Sequence, residues 1–411
     1  MRRVIAVILT LAIGLSCLIS CKEKEEERAP ADFGSYGADF ARNLASRCPF
    51  RKAYSQQEDI AGNIIKSEFA TLGFDVQTQS FTGSDGQTSN NIVAISKGAG
   101  FYSKSSDDGD YIHTERYIVV GAHYDTKYSA EELEAYNKEL AESAKDESVE
   151  PLKYDGINGN ASGIGALMTC AKELKGYTSM AYNIIFVAFG ASGDDFAGAR
   201  AFFNALTPDV KSKIEAMFCI DSIYAGDKIY ANSGYNSLVS GNKYAMRRKL
   251  YQSYDVAYEN SLYTNNNFNL LYNESRIKID LDGDGKDDIY SEVSANKSDY
   301  IPFDEAKIPI VFFDSFDYNF DTIEEMHDTK NLDLQQFDGM IRGTFLDSTS
   351  TLDPILVTEE VDQLELRINN VAFVILGTAM KGSDTALTYT QYVNALESEK
   401  NAVSTETSGK N

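Results

Sequence analysis

The sequence predicts an α/β fold with a mixed, largely parallel central sheet and helices on both faces. Three observations carry this. Short apolar runs recur as NIVAIS, YIVVGAH, IIFVAFG, AMFCID and IPIVFF. Helical stretches such as ASGIGALMTCAKELKG and AGARAFFNAL lie between most of them, which is the alternation of a sheet covered on two sides. The residues that end the runs, His123, Gly190 and Asp221, fall at carboxyl ends of strands, where ligands gather in such sheets.

The elements follow in order. Residues 1–20 pair Arg2 and Arg3 with the apolar stretch VIAVILTLAIGL, a positive start and a core too short for a comfortable membrane span, as in an export signal. LISC, ending at Cys21, resembles the bacterial lipobox. It predicts lipidation of Cys21 and a bacterial cell-envelope protein, lipid-anchored in the outer membrane and surface-exposed; an ordinary signal peptide cleaved nearby is the alternative. Residues 21–32 then form a solvated, acidic tether. Loss of residues 1–20 removes two positive charges and takes the net charge from -24 to -26, which disfavours nucleic acid and leaves the lipid as the membrane contact.

Residues 33–381 are expected to be the folded domain. QQEDIAGNIIKSEFATLG places Ile60, Ile64 and Phe69 at near-helical spacing and stops at Gly73. Two segments interrupt the alternation: 127–153, rich in Glu, Lys and Ala, reads as an exposed helical excursion, and 227–297, rich in Asn, Tyr and Ser, as an insertion or small lid. Residues 382–411 read as a frayed, disordered tail. Cys48, Cys170 and Cys219 are few and show no C-x-x-C, so neither a disulfide framework nor a thiolate zinc site is indicated. Oligomeric state is not encoded in any pattern of the chain.

Five blocks, in order, carry a resemblance over roughly residues 40–380. They are His123-Tyr124-Asp125, GINGNASG around Gly159, FGASG with Ser192 and Gly193, Asp221 in MFCIDS, and SDYIPF followed by His327 in MHDT. Together they resemble the co-catalytic di-zinc aminopeptidases (metallopeptidase family 28), a family that includes glutaminyl cyclases and the non-catalytic transferrin receptor. The resemblance implies that His123 and Asp221 are ligands of a first zinc, His327 of a second, and that Asp125 orients the site from behind. It implies a bridging Asp where Gly159 stands, a general-base Glu where Ser192 stands, and a second-metal ligand where Gly193 stands; Tyr300 replaces a His of the family pattern.

These replacements weaken zinc binding, since glycine offers no ligand atom and a catalytic zinc needs three protein ligands. Loss of the base removes a step worth about a hundredfold to ten-thousandfold. His123, Asp221 and His327 are therefore expected to converge as a remnant two-His, one-carboxylate set, with Asp194 or Asp195 reaching the base position only by a register shift. The expected function is peptide binding on an aminopeptidase scaffold with hydrolysis lost. The alternatives are an active exopeptidase with a rearranged metal site and, third, a glutaminyl-cyclase-like activity.

A separate motif, DLDGDGKDD, sets Asp280, Asp282 and Asp284 at loop positions one, three and five, Gly285 at six and Asp288 at nine. Alternating hard oxygens of this kind suit calcium; an acidic solvated turn is the alternative.

Overall fold

Strand β5 (Tyr117–His123) lies inside the sheet, parallel to β6 (Asn183–Phe189) on one side and β7 (Ile214–Ile220) on the other; β12 (Ile310–Ser315) extends β7 in parallel. These four apolar runs are buried almost throughout, as strands covered on both faces must be. The computed structural model describes residues 31–105, 109–144, 150–238, 243–262, 270–271, 273, 275–280 and 283–408.

The full sheet has eight strands in the order β1-β2-β6-β5-β7-β12-β8-β9. β1 (Val76–Thr82) and β2 (Thr88–Ser96) form an antiparallel hairpin, and β8 (Ile229–Asn232) runs antiparallel to β12 with β9 (Leu270–Leu271) beyond it. Antiparallel flanks on a parallel centre make the sheet mixed. Two small ribbons stand apart: β3 (Phe101–Lys104) with β4 (Tyr111–Thr114), and β10 (Ile277–Ile279) with β11 (Asp288–Tyr290).

Helices α1 (Tyr36–Arg47), α2 (Gln56–Thr71), α3 (Ala130–Ala144), α4 (Gly163–Glu173), α5 (Ala197–Ala205), α6 (Lys243–Glu259), α7 (Gln363–Met380) and α8 (Tyr389–Ser408) fill out the chain. α1, α4 and α7 pack together. Gly37 permits this: a Cβ there would lie 2.2 Å from Thr169 Oγ1 and 2.5 Å from Ile368. α5 buries Ala199, Phe202 and Phe203 against Phe189, Met217 and Phe303. α2 starts at Ser55, whose side chain accepts the Glu58 N–H, and the chain turns away at Gly73 with φ +92°.

Three expectations change. On α2 the buried face is Ala61, Ile65 and Phe69, spaced by four, while Ile60 is exposed. Residues 227–297 are more than a lid. IYAN enters the central sheet as fully buried β8, and α6 packs on α7. Within the expected tail, residues 389–408 form α8, anchored by Tyr392, whose ring stacks on Tyr102 at 4.1 Å. The excursion at 127–153 contains α3, tied back by a Lys52–Glu132 ion pair at 3.0 Å.

Candidate functional site

The loops after β5, β6 and β7 enclose a cleft of about 590 Å³, onto which His123, Asp125, Gly159, Ser192, Gly193 and Asp221 all face. The sequence motifs thus meet, because parallel strands bring their carboxyl ends to one edge. Asp125 organises the wall: Oδ1 accepts the Ser192 N–H at 2.9 Å and Oδ2 the Gly193 N–H at 3.0 Å. Its carboxylate also lies 3.3 Å from His123 Nδ1. Asp125 thus contacts both the imidazole and the loop.

Opposite, Asp347 shapes the Gly159 loop by accepting the Asn158 N–H at 2.7 Å and the Gly159 N–H at 2.9 Å. Burial pushes its carboxyl up to about 7, against the pull of those two N–H groups. Asp347→Ala leaves two buried donors unsatisfied and is expected to cost about 2–5 kcal/mol in urea unfolding. An acid held above its ordinary pKa stabilises the fold most below about pH 4 and loses that contribution as pH rises towards 7. Asp347→Asn should remove this slope; stability profiles that run parallel for the wild type and the Asp347→Asn variant would contradict it.

At the cleft floor, Asp221 is saturated by protein groups. Ser222 Oγ donates to Oδ1 at 2.8 Å, Ser298 Oγ to Oδ2 at 2.7 Å, and the Arg342 guanidinium forms a charge-assisted hydrogen bond to Oδ2. His123 Nε2 stands 3.5 Å from Oδ1. Burial would raise the Asp221 carboxyl, but Arg342 and then His123 outweigh it and hold it well below the carboxylate range. Burial would likewise discharge His123, but Asp221 and Asp125 keep its pKa well above the ordinary value. Ser192 Oγ donates to Asp299 Oδ2 at 2.9 Å, and burial pushes the Asp299 carboxyl up to about 7.

The expected convergence of His123, Asp221 and His327 is not found. The His327 ring packs on Phe320 at 4.6 Å, its Nδ1 faces the Glu325 carbonyl at 3.1 Å, and it does not line the cleft. The backbone pairing of Asp317 with His327 fixes it there. Among the described residues no group of three His, Cys, Asp or Glu side chains stands together to hold a metal ion. Asp194 is committed at the rim, accepting from Tyr54 Oη and from the Ser84 N–H and Oγ. Asp195 pairs with Arg200 at 3.2 Å. Neither fills the base position. Tyr300 is a core residue that donates to the Asn296 carbonyl.

In the acidic turn, Asp280 accepts the N–H groups of Gly283 and Gly285, Lys286 engages Asp284, and Asp288 opens β11. Asp282 and Cys21 lie outside the described residues. Sequence reasoning missed Arg342, Asp299 and Asp347 as site residues. Only Asp299 had a signal, its place in the SDYIPF block.

A mixed eight-stranded sheet with an H-x-D strand end and an Asp on the next strand at one cleft is the fold of the zinc exopeptidases. The chain belongs to peptidase family M28, whose family model matches residues 106–342. Among curated proteins it is similar to the alkaline phosphatase isozyme conversion protein of Escherichia coli, 25% identical over 231 residues. That match covers 54% of this chain and 60% of the relative's length. Two solved structures similar in fold are a glutaminyl cyclase from Porphyromonas gingivalis (16% identity, TM-score 0.52, 86% of this chain and 99% of that one) and a Zn-dependent exopeptidase from Parabacteroides distasonis (15%, 0.52, 85% and 99%). A zinc aminopeptidase from Bacillus subtilis also shares it (13%, 0.50, 86% and 98%).

Proposed function

We propose that this protein is an exported member of the family that binds peptides in the cleft without hydrolysing them. One observation carries the reading. The positions for a bridging carboxylate, a general base and a metal ligand are Gly159, Ser192 and Gly193, and the Ser192 hydroxyl is engaged by Asp299. Zinc, the metal of similar proteins, does not fit the residues present: His123 and Asp221 are two ligands where three are needed, and Asp221 is already committed to Arg342. The cleft volume suits a short peptide, and its rim carries the carboxylate of Asp85 and the ammonium group of Lys127 for peptide termini and polar main chain.

The test is calorimetric titration of short free-amino peptides, with the mixtures then analysed by mass spectrometry. Saturable binding with intact peptide is expected. Stoichiometric cleavage would favour the alternative, an active exopeptidase, for which the retention of His123, Asp125 and Asp221 speaks. A glutaminyl-cyclase-like activity meets the same obstacle at Ser192.

Lipid attachment at Cys21 would hold the cleft at the outer-membrane surface. Cys21→Ala should move the protein from the detergent to the aqueous phase and abolish lipid labelling; retention in detergent would refute the anchor. Calcium in the 280–288 turn would order that segment rather than take part in chemistry. Asp282→Ala should then remove a calcium-dependent rise in melting temperature, whereas indifference to calcium and chelator would leave a solvated turn.

A further inference from the structure

The residues around Asp221 point to a substitution of one kind of cation by another. A carboxylate has about four acceptor positions. Those of Asp221 face Ser222, Ser298, Arg342 and His123. The guanidinium is not a stray surface group. The Arg342 N–H donates to Asp328 Oδ2 at 2.8 Å beside the Ile341 N–H at 2.6 Å, so the backbone that carries it is pinned. Its charge is flanked by those of Asp221, Asp314 and Asp328. It also lines the cleft beside His123.

We propose that Arg342 is the resident cation of this cleft, a positioning residue that balances Asp221 and so fixes His123 without a metal ion. The same logic accounts for Gly159, Gly193 and Ser192. A single monovalent cation needs fewer carboxylates than two divalent ions, and residues lacking a carboxylate at these positions avoid buried charge that nothing would balance. The inference is independent of whether peptides are the ligand: metal content and cleavage are separate measurements, and either can fail alone.

The test compares the full mature protein with Arg342→Ala and Arg342→Lys by metal analysis after zinc loading and by thermal melts with zinc or chelator. Wild type is expected to hold no stoichiometric zinc and to melt at one temperature in both conditions. Arg342→Lys, which keeps the charge, should behave likewise. Arg342→Ala placed on Gly159→Asp, which adds a carboxylate to the pair His123 and Asp221, should melt lower in chelator and gain a zinc-dependent rise that Gly159→Asp alone lacks, lost again when His123→Ala is added. A merely structural arginine would give the lower melting temperature but no zinc response. If Arg342→Ala does not fold, Arg342→Gln carries the same comparison, as it keeps a donor to Asp221 without charge. Stoichiometric zinc in the wild type, or a folded Gly159→Asp variant uncharged at position 342 that is as indifferent to zinc as the wild type, would overturn the proposal.

Discussion

Arg51→Ala is expected to be the most damaging single substitution in the protein, lowering its stability by about 4 kcal/mol or more. Arg51 is fully buried. Its guanidinium donates to four carbonyls: Tyr124 at 2.6 Å, Cys48 at 3.0 Å, Asp155 at 2.7 Å and Gly156 at 2.7 Å. These belong to the segment after α1, the loop after β5 and the turn before Gly159, so one side chain binds three pieces of the cleft wall. Removing it leaves the Tyr124, Cys48 and Asp155 carbonyls without that donor, each costing about 1–3 kcal/mol where water cannot enter, while the Gly156 carbonyl keeps the Ala161 N–H at 3.1 Å. Arg51→Lys should fall between, since an ammonium offers three donors and no planar fork. Urea unfolding measures both; a loss under about 1 kcal/mol for the alanine variant would contradict this account.

The second large effect comes from restoring what the family pattern places at the cleft. Gly159→Asp, Ser192→Glu and Gly193→Glu together are expected to destabilise the protein by about 3 kcal/mol or more and to produce no turnover. A Cβ at position 159 would stand 3.2 Å from Ser222 Oγ and 3.3 Å from Asp347 Oδ2; one at 193 would stand 3.4 Å from Asp125 Oδ2. The new carboxylates thus enter a cleft already lined by Asp125 and Asp221, with Asp347 against Gly159 and Arg342 still bound to Asp221. Adding Arg342→Ala to the triple variant should recover stability in zinc but not in chelator. Thermal melts decide it: a triple variant stabilised by zinc with Arg342 in place would be the opposite result.

What the sequence made legible was local. The five buried runs became β2, β5, β6, β7 and β12, and since parallel strands share a carboxyl edge, His123, Asp125, Gly159, Ser192, Gly193 and Asp221 come together as their motifs suggested. What it hid was long-range pairing. Arg342 reaches Asp221 across 121 residues and Asp347 reaches Asn158 across 189, and no periodicity marks such partners. IYAN looked like part of a polar insertion, yet its place beside β12 depends on a distant neighbour: Asn232 Nδ2 donates to Asp314 across 82 residues. His327 sits in a matching motif, but its backbone pairing with Asp317 and its contact with Phe320 set its direction. The aromatic contacts that hold α8 likewise join Tyr392 to Tyr102 from distant parts of the chain.

The most direct measurement is turnover of a panel of aminoacyl anilides and dipeptides by the unmodified protein, with zinc, manganese or no added metal, beside His123→Ala. The account predicts rates for the unmodified protein indistinguishable from those of the His123→Ala variant in every condition. Metal-dependent turnover by the unmodified protein that disappears in His123→Ala would contradict it.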